Sequence, residues 1–197
     1  VFEGGDAVGK TTQMRMLVPW LRERGVDPVV TRQPGGTSLG RKLRKLLLGP
    51  DHPELVSRAE ALIYAADKAQ HVEEVILPAL AHGKVVVCDR YVDSMIAYQG
   101  AGRVLDLAEV EQVARWATGG LRPDLTVLLD ADPADAVATI RQQDRLEAAG
   151  LDFHRRARAH FLRLADQAPD RYLVLDARES REAIAQQVAA RVGSLLA

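Results

Sequence analysis

The sequence predicts an α/β domain in which helices flank a five-stranded parallel sheet. Two observations predict this fold. Short apolar runs alternate with helical patterns along the whole chain, and several of the runs end in an acidic residue that is followed by a loop. Alternating strands and helices form parallel βαβ units, which bind their ligands at the carboxyl ends of the strands. Since no repeat or linker interrupts the series, we predict a single domain over residues 1–197.

Glycine delimits the first two helices. A helix over 10–24 ends at Gly25, because glycine adopts the left-handed conformation without strain. The second strand is predicted over 26–31, and the second helix covers 38–48 and ends at Gly49-Pro50. The apolar face of this second helix is formed by Leu39, Leu43, Leu46 and Leu47.

A third helical pattern covers residues 55–81. It contains Pro78, which bends or interrupts a helix because proline has no backbone N–H. We expect Leu62 and Ile76 to lie in the core. For the alanine-rich remainder of this apolar stripe, packing in the core and pairing with a second copy of the chain both stay open. An apolar strand over 84–89 follows.

The second half of the chain continues the alternation. A helix that begins at Asp93 leads to a loop at 100–103. Asp106 and Glu109 then form a capping box for a helix that ends at Thr118. The remaining predicted elements are strands at 125–130 and 172–176, and helices that begin at Pro133 and cover 151–168 and 181–196, with a polar, broken segment at 142–150.

Composition excludes several classes of protein. Apolar residues make up 47% of the chain and charged residues 27%, as in ordinary globular proteins, and the net charge of −1 provides no overall attraction to nucleic acids or anionic membranes. No apolar run approaches the roughly 18–20 residues that span a bilayer. The single cysteine, Cys88, excludes an internal disulfide and fits a buried strand in a cytoplasmic protein. The chain begins without Met, inside its first predicted strand, so we expect a few residues to precede it.

The segment Gly4–Thr11 fits the pattern G-x-x-x-x-G-K followed by Ser or Thr, which cradles the phosphates of a nucleoside triphosphate. Its glycines let successive backbone N–H groups face an anion, and the next helix directs its positive N-terminus at the same point. Lys10 is predicted to reach the β- and γ-phosphates, and Thr11 to hold Mg²⁺. The residues predicted to bind ATP in this loop are Gly4, Gly5, Asp6, Ala7, Val8, Gly9, Lys10, Thr11 and Thr12.

Asp89 ends the third predicted strand and is followed by Arg90-Tyr91. An acidic residue at this place commonly completes a Mg²⁺ site opposite the threonine of the loop. The planar, permanently charged guanidinium of Arg90 suits the recognition of a phosphate. A salt bridge at the end of the strand is the alternative interpretation of this pair.

Further short motifs follow one another along the chain from residue 1 to about 176. They are Phe2-Glu3-Gly4-Gly5-Asp6, Thr31-Arg32-Gln33-Pro34-Gly35-Gly36-Thr37, Asp89-Arg90-Tyr91, Ala97-Tyr98-Gln99-Gly100, Gly102-Arg103, Arg122-Pro123-Asp124-Leu125-Thr126 and Asp144-Arg145-Leu146-Glu147. With these segments the chain resembles the thymidylate kinases, which make dTDP from dTMP and ATP. The resemblance implies a P-loop NTPase fold with a small lid at about 141–150, Mg²⁺ bound with ATP, and a homodimer.

The resemblance also implies roles for individual residues. Asp6 would face the sugar hydroxyl of the acceptor nucleotide and, with Thr11 and Asp89, the metal. Tyr98 would pack under the deoxyribose and exclude a 2′-hydroxyl, while Gln99 would help to hold the thymine. The residues implied to bind the acceptor are Asp6, Arg32, Pro34, Arg44, Lys68, Arg90, Met95, Tyr98 and Gln99. Those implied to act in catalysis are Lys10, Asp6, Arg90 and Arg145, with Arg141 and Arg145 on the lid over ATP.

Four residues depart from the family pattern. Position 7 is Ala where relatives have Gly or Arg, so the extra cation is expected from the lid, as in bacterial members. Gln33 stands where Glu is usual, Lys68 where Arg is usual, and Met95 where Ser, Thr or Asn is common. Lys68 and Met95 leave open a kinase for a different or modified pyrimidine monophosphate. A P-loop ATPase that regulates a partner protein is a second alternative, but arginines clustered at strand ends suit a second anionic ligand and favour the kinase.

Overall fold

Five parallel strands form one sheet in the described part of the chain, residues 1–134 and 145–196 of a computed structural model. The strands are β1 (Phe2–Gly4), β2 (Val29–Arg32), β3 (Val86–Asp89), β4 (Thr126–Asp130) and β5 (Tyr172–Asp176). Their order in the sheet is β2-β3-β1-β4-β5, which places β1 at the centre. The predicted α/β fold with a five-stranded parallel sheet is therefore confirmed.

Helices connect the strands throughout the described residues. They are α1 (Lys10–Arg22), α2 (Ser38–Leu48), α3 (Ser57–His71), α4 (Leu77–Ala81), α5 (Val92–Met95), α6 (Leu107–Ala117), α7 (Leu151–Gln167) and α8 (Arg181–Leu196). Two π-helical turns, Val72–Ile76 and Ile96–Gly102, follow α3 and α5, and two 3₁₀ turns cover Glu147–Ala149 and Pro169–Arg171. Within 1–134 and 145–196, no helix combines the length and apolar character that crossing a bilayer requires.

Core clusters lie on both faces of the sheet, as the residues of β4 show. Val127 and Leu129 pack in one cluster with side chains of α1 and α8, such as Leu21. Leu128, which lies between them, packs in another cluster with Phe153 of α7. Because successive side chains of a strand point to opposite faces, this division requires helices on both sides of the sheet.

The register of the strands collects polar groups at one edge of the sheet. Phe2 of β1 pairs with Asp89 of β3, and Asp89 also pairs with Arg32 of β2. On the other side, Gly4 pairs with Leu129 of β4. The carboxyl ends of the four strands β1 to β4 therefore meet where the phosphate-loop motif begins.

In the structure, the third helical pattern continues through Pro78. Pro78 does not break it, but the π-helical turn Val72–Ile76 widens the helix just before the proline. Pro78 has no N–H to donate four residues back, and a wider turn accommodates its ring. The prediction for Ile76 is confirmed, since it is buried, whereas the prediction for Leu62 is wrong because this residue is 55% exposed.

The predicted loop at 100–103 is also wrong, because most of it belongs to the π-helical turn Ile96–Gly102. The reason is packing. A Cβ added to Gly102 would lie 2.5 Å from the ring of Phe153 on α7, so glycine here permits a close approach instead of a chain reversal. The turn keeps the segment from 96 to 102 helical and fixes it against α7.

Two smaller predictions require correction. The second strand begins at Val29 and not at residue 26, because the N–H of Val26 donates to the carbonyl of Leu21 and closes a turn. The second helix has the predicted bounds, but Leu39 and Leu46 of its apolar face are 45% and 40% exposed. Periodicity identifies the apolar stripe of a helix without showing how much of the stripe is covered.

Candidate active site

The segment from Gly4 to Lys10 turns sharply between β1 and α1. Gly4 has a φ of +126°, and a Cβ there would lie 2.3 Å from the carbonyl oxygen of Leu129, so the close approach to β4 requires glycine. Within the described residues, no side chain caps the N-terminus of α1, and its first turn contains no acidic residue. The backbone N–H groups and positive end of this helix therefore remain available to an anion.

Lys10 folds back over the loop. Its Nζ donates to the carbonyl oxygen of Gly4 at 3.3 Å and to that of Gly5, and only 7% of the residue is exposed. Burial and then the charge of Arg90 lower the pKa of Lys10 to about 8. A phosphate bound in the loop would raise the pKa of Lys10 again, because its negative charge stabilises the ammonium. It would also replace the carbonyl oxygens as the acceptor of the hydrogen bonds from Nζ.

Arg90 connects the loop with the rest of the site. Its guanidinium donates to the carbonyl of Gly4 at 2.9 Å, to Oγ of Ser94 at 3.0 Å and to Oδ1 of Asp6 at 2.5 Å. It also lies over the ring of Tyr98, 5.3 Å from the centroid. The backbone of Arg90 is left-handed, with a φ of 64°, a strained conformation that is concentrated at functional sites.

Glu3 holds the segment that carries Arg90. This residue of β1 is fully buried, and its Oε1 accepts from the backbone N–H groups of Tyr91 at 2.7 Å and Ser94 at 3.2 Å. Its Oε2 accepts from the hydroxyl of Ser94 at 2.5 Å. One carboxylate thus fixes the start of α5 and, through Ser94, one partner of the guanidinium.

Beside the phosphate loop, Oδ2 of Asp6 and Oδ1 of Asp89 are buried and accept no hydrogen bond from the described residues. Burial raises the pKa of Asp6, but the charges of Arg90 and Lys10 outweigh it and hold this pKa below its usual range. Thr11 is exposed on the first turn of α1. The set fits Mg²⁺, which takes oxygen ligands and needs only one or two carboxylates beside phosphate oxygens. A larger cluster of metal-binding side chains is absent from residues 1–134 and 145–196.

A second cleft begins at Asp6 and Arg90. The structure brings together here Pro34, Arg44, Lys68, Met95, Tyr98 and Gln99 from the residues implied for the acceptor. Gln33, Leu48, Tyr64, Ser94 and Leu146 line the cleft as well. Arg32 does not line it and is exposed at the end of β2.

A buried chain of hydrogen bonds supports Lys68 behind the cleft. The Nζ of Lys68 donates to Oε1 of Gln33 at 2.9 Å, which turns the NH₂ group of Gln33 toward Nδ1 of His71, 2.7 Å away. Nε2 of His71 therefore carries the proton that it donates to Oγ1 of Thr31 at 2.6 Å. Burial and the charge of Lys68 lower the pKa of His71 to about 4, in agreement with a neutral imidazole. Gln33 and Lys68, the positions where the resemblance implies Glu and Arg, are thus paired with each other.

Gln99 is held from the other side by Glu60 of α3. Nε2 of Gln99 donates to Oε1 of Glu60 at 2.9 Å. Arg103 donates to both carboxylate oxygens, from Nε at 3.2 Å and from Nη2 at 3.1 Å. Nη2 of Arg145 donates to Oε2 of the same carboxylate. Burial raises the pKa of Glu60, but the hydrogen bonds from Arg103 and Gln99 and the charges of both arginines hold it below its usual range.

Arg145 lies behind the lining of the second cleft in this structure, with Glu60 as a partner. Besides Glu60, it contacts the end of α2, where its Nε donates to the carbonyl of Leu47 at 2.9 Å. The next residue, Leu146, lines the cleft. The described contacts therefore join Arg145 to α2 and α3, and not to the phosphate loop. Arg141 and the first residues of the predicted lid lie outside the described part of the chain.

Glu3 and Glu60 were not singled out from the sequence, although both organise the site. Each is a carboxylate that is 0% exposed. Their signal is an acidic residue on an apolar strand or on the buried stripe of a helix, which occurs almost only where the charge is paired. Their partners are remote in sequence, and spacing alone does not reveal them.

The chain is similar to known proteins over nearly its whole length. The profile of the family described as thymidylate kinase matches residues 2–188. A thymidylate kinase of Cutibacterium acnes is 60% identical over 196 residues, covering 100% of this chain and 96% of that protein. A thymidylate kinase of Clavibacter sepedonicus is 53% identical, covering 99% and 94%, and one of Exiguobacterium sp. is 47% identical, covering 94% and 89%. The matched range contains the phosphate loop and the second cleft.

Proposed function

Since this chain belongs to the thymidylate kinase family, we propose that it transfers the γ-phosphoryl group of ATP to dTMP and forms dTDP and ADP. The observation that carries this proposal is the arrangement of two anion sites around one pair of residues. Arg90 and Asp6 contact each other, Arg90 contacts the phosphate loop at Gly4, and both line the second cleft. A site with two adjoining clefts fits a donor and an acceptor that must react directly with each other.

The chemistry requires positioning more than a strong base. A phosphate monoester has a second pKa of about 6, so the acceptor is already largely dianionic near neutral pH. The obstacle is the repulsion between two anions that must meet in line. Lys10 would bind the β- and γ-phosphates of ATP, and Arg90 would bind the acceptor phosphate, so that both oppose this repulsion.

Mg²⁺ bound with ATP is part of the proposal. Thr11, Asp89 and Asp6 would hold it, since the two carboxylates each keep a buried oxygen without a protein partner. The ion would neutralise charge on the β- and γ-phosphates. Asp6 would contribute a carboxylate that stays ionised, because its pKa is held below the usual range.

The lid arginines are proposed to complete the charge around ATP. The loop has Ala7 where an arginine would supply a cation, so Arg145 and Arg141 are the candidates. Arg145 is held by Glu60 and Leu47 in the described structure, and contact with ATP would require its release from them. Closure would exclude water from the reacting phosphate.

The polar groups of the second cleft match the edge of thymine. Lys68 has N–H groups to donate beyond its bond to Gln33, and a thymine O4 accepts. Gln99 donates its NH₂ to Glu60, so the carbonyl oxygen is the atom that it offers to a base N3–H. Met95 adds an apolar wall, and Tyr98 would exclude a 2′-hydroxyl at the sugar.

A panel of acceptors tests the proposed function. We expect ADP release with dTMP to exceed that with dCMP by about 10²-fold or more in kcat/KM, because cytosine presents a donor to Lys68 and an acceptor to Gln99. Since dUMP lacks only the methyl group, we expect its kcat/KM to be about 10- to 200-fold lower than that of dTMP. Turnover without any acceptor that dTMP does not change would contradict the kinase. Faster turnover with dUMP or a modified pyrimidine would indicate a different acceptor.

The pKa of Lys10 predicts how ATP binding depends on pH. The free protein has a pKa of about 8 at Lys10, and the phosphates of ATP raise it, so binding takes up a proton above this pH. We expect uptake of about 0.1 proton at pH 7 and about 0.9 at pH 9, and weaker binding as the pH rises through this range. Calorimetry with a non-hydrolysable ATP analogue, in buffers of different ionisation enthalpy, measures the uptake. The control is Lys10→Arg, whose side chain stays charged, so its proton uptake on ATP binding should be the same at pH 7 and at pH 9. If uptake in this variant rose between the two pH values as much as in the unchanged protein, the proton would not belong to Lys10.

We also propose that the chain forms a homodimer. Leu62 is 55% exposed on α3, and Ala66, one turn later, is exposed on the same face. A second copy of the chain would cover this apolar stripe.

A further inference from the structure

We propose that Glu60 is a positioning residue for selection of the acceptor base, because it holds the amide of Gln99 in the orientation that accepts a hydrogen bond from the base. This inference rests on the proposed function, in which Gln99 faces the base of the acceptor. Glu60 itself does not line the cleft, whereas Gln99 does. Glu60 therefore acts through Gln99.

The orientation of the amide follows from the chemistry of the pair. An ionised carboxylate only accepts hydrogen bonds, so the atom of Gln99 that lies 2.9 Å from Oε1 of Glu60 is the NH₂ nitrogen. The carbonyl oxygen is on the other branch of the amide and is directed away from Glu60. With a carboxylate at position 60, the reversed amide would place two acceptors against each other, which costs a buried hydrogen bond.

The charge on Glu60 is maintained by its other partners. Arg103 makes a two-point contact with the carboxylate and also lies over the ring of Phe153, 4.9 Å from its centroid. Arg145 adds a second guanidinium on Oε2. Because Arg103 alone contacts both oxygens, Glu60 stays ionised even when Arg145 is released to ATP, and an ionised Glu60 permits only one orientation of Gln99.

Selectivity for the base is the expected consequence. Thymine and uracil carry an N3–H that the carbonyl of Gln99 accepts, whereas N3 of cytosine is itself an acceptor. A reversed Gln99 would donate to cytosine instead. Glu60 thereby keeps the cleft suited to bases with an N3–H, although it contacts no substrate.

The variant Glu60→Gln tests this inference because an amide both donates and accepts. Gln99 then binds position 60 in either orientation, so we expect the ratio of kcat/KM for dTMP to that for dCMP to fall by about tenfold. The ratio is the decisive quantity, since any effect on ATP through Arg145 is common to both acceptors. Asp93→Asn is the matched control, a loss of charge at a carboxylate that accepts from the hydroxyl of Tyr172 on β5 at 2.6 Å. Its ratio should equal that of the unchanged protein.

A double-mutant cycle separates action through Gln99 from a general loosening of the cleft. In a Gln99→Ala background, Glu60→Gln should change the ratio by less than about twofold, because the group it positions is absent. A similar tenfold fall in both backgrounds would overturn the inference. An unchanged ratio in Glu60→Gln alone would overturn it as well.

A second variant covers the case in which Glu60→Gln does not fold. Glu60→Asp keeps the charge for Arg103 and Arg145 but withdraws the carboxylate by one methylene from Gln99, so the ratio should again fall, and an unchanged ratio would count against the inference. Thermal unfolding of each variant establishes that it is folded. Failure of the proposed function is distinguishable, because the unchanged protein would then show no preference for dTMP over dCMP.

Discussion

Replacement of Lys10 by alanine is expected to lower kcat for dTMP phosphorylation by about 10²- to 10³-fold, the usual cost of removing one preorganised donor from a transition state. The ammonium lies on the carbonyl oxygens of Gly4 and Gly5, within the loop that would receive the β- and γ-phosphates. Water that fills the space of the removed side chain carries no net charge, so it does not replace the ammonium. The charge that develops on the transferred phosphoryl group then lacks its nearest cation from the loop.

The measurement is a steady-state assay of ADP release at saturating dTMP, with ATP varied so that kcat and KM are separated. Lys84→Ala is the control, since Lys84 is exposed before β3, at the opposite end of the strand from Asp89, and its contact with Asp27 is 3.4 Å long. This control should stay within about twofold of the unchanged protein, as expected for an exposed ion pair. A Lys10→Ala enzyme with a near-normal rate would show that the loop does not hold the reacting phosphates.

Much of the fold could be predicted because its signals are local. The helix over 38–48 and the strand over 172–176 have the predicted bounds, since glycine, proline and apolar periodicity mark their ends. The exposure of Leu62 could not be predicted in the same way. Periodicity shows that its side of α3 is apolar, but whether another element covers that side depends on tertiary packing.

In the candidate site, too, residues within short motifs could be predicted, and contacts between remote residues could not. The phosphate loop and the Asp89-Arg90 pair lie within short motifs whose chemistry requires their spacing. The contact between Glu60 and Arg145 joins residues 85 positions apart, and no spacing within either segment indicates the partner. The resemblance of the motif around Arg145 therefore predicts a contact with ATP, whereas the described contacts attach its side chain to α3. Its contact with ATP stays a prediction.

Arg90→Ala is expected to lower kcat/KM for dTMP by about 10²- to 10³-fold, with a smaller effect on KM for ATP. The guanidinium contacts Gly4 of the loop, Ser94 and Asp6 together. Its removal takes away the proposed partner of the acceptor phosphate. It also removes the guanidinium that most strongly offsets the charge of the largely buried Asp6 carboxylate.

Arg90→Lys separates charge from geometry. A single ammonium restores one positive charge but does not span three acceptors or bind a phosphate in two-point fashion, so we expect it to recover only a small part of the loss. Initial rates at dTMP well below KM measure the effect, and thermal unfolding shows whether each variant keeps the fold. Arg22→Lys, on the exposed part of α1, is the matched control, because its contact with Asp27 is 3.4 Å long and lies in solvent. If both Arg90 variants kept the rate of the unchanged protein at low dTMP, Arg90 would be only a salt-bridge partner of Asp6. The acceptor phosphate would then have to bind elsewhere in the cleft, with Arg44 as a candidate.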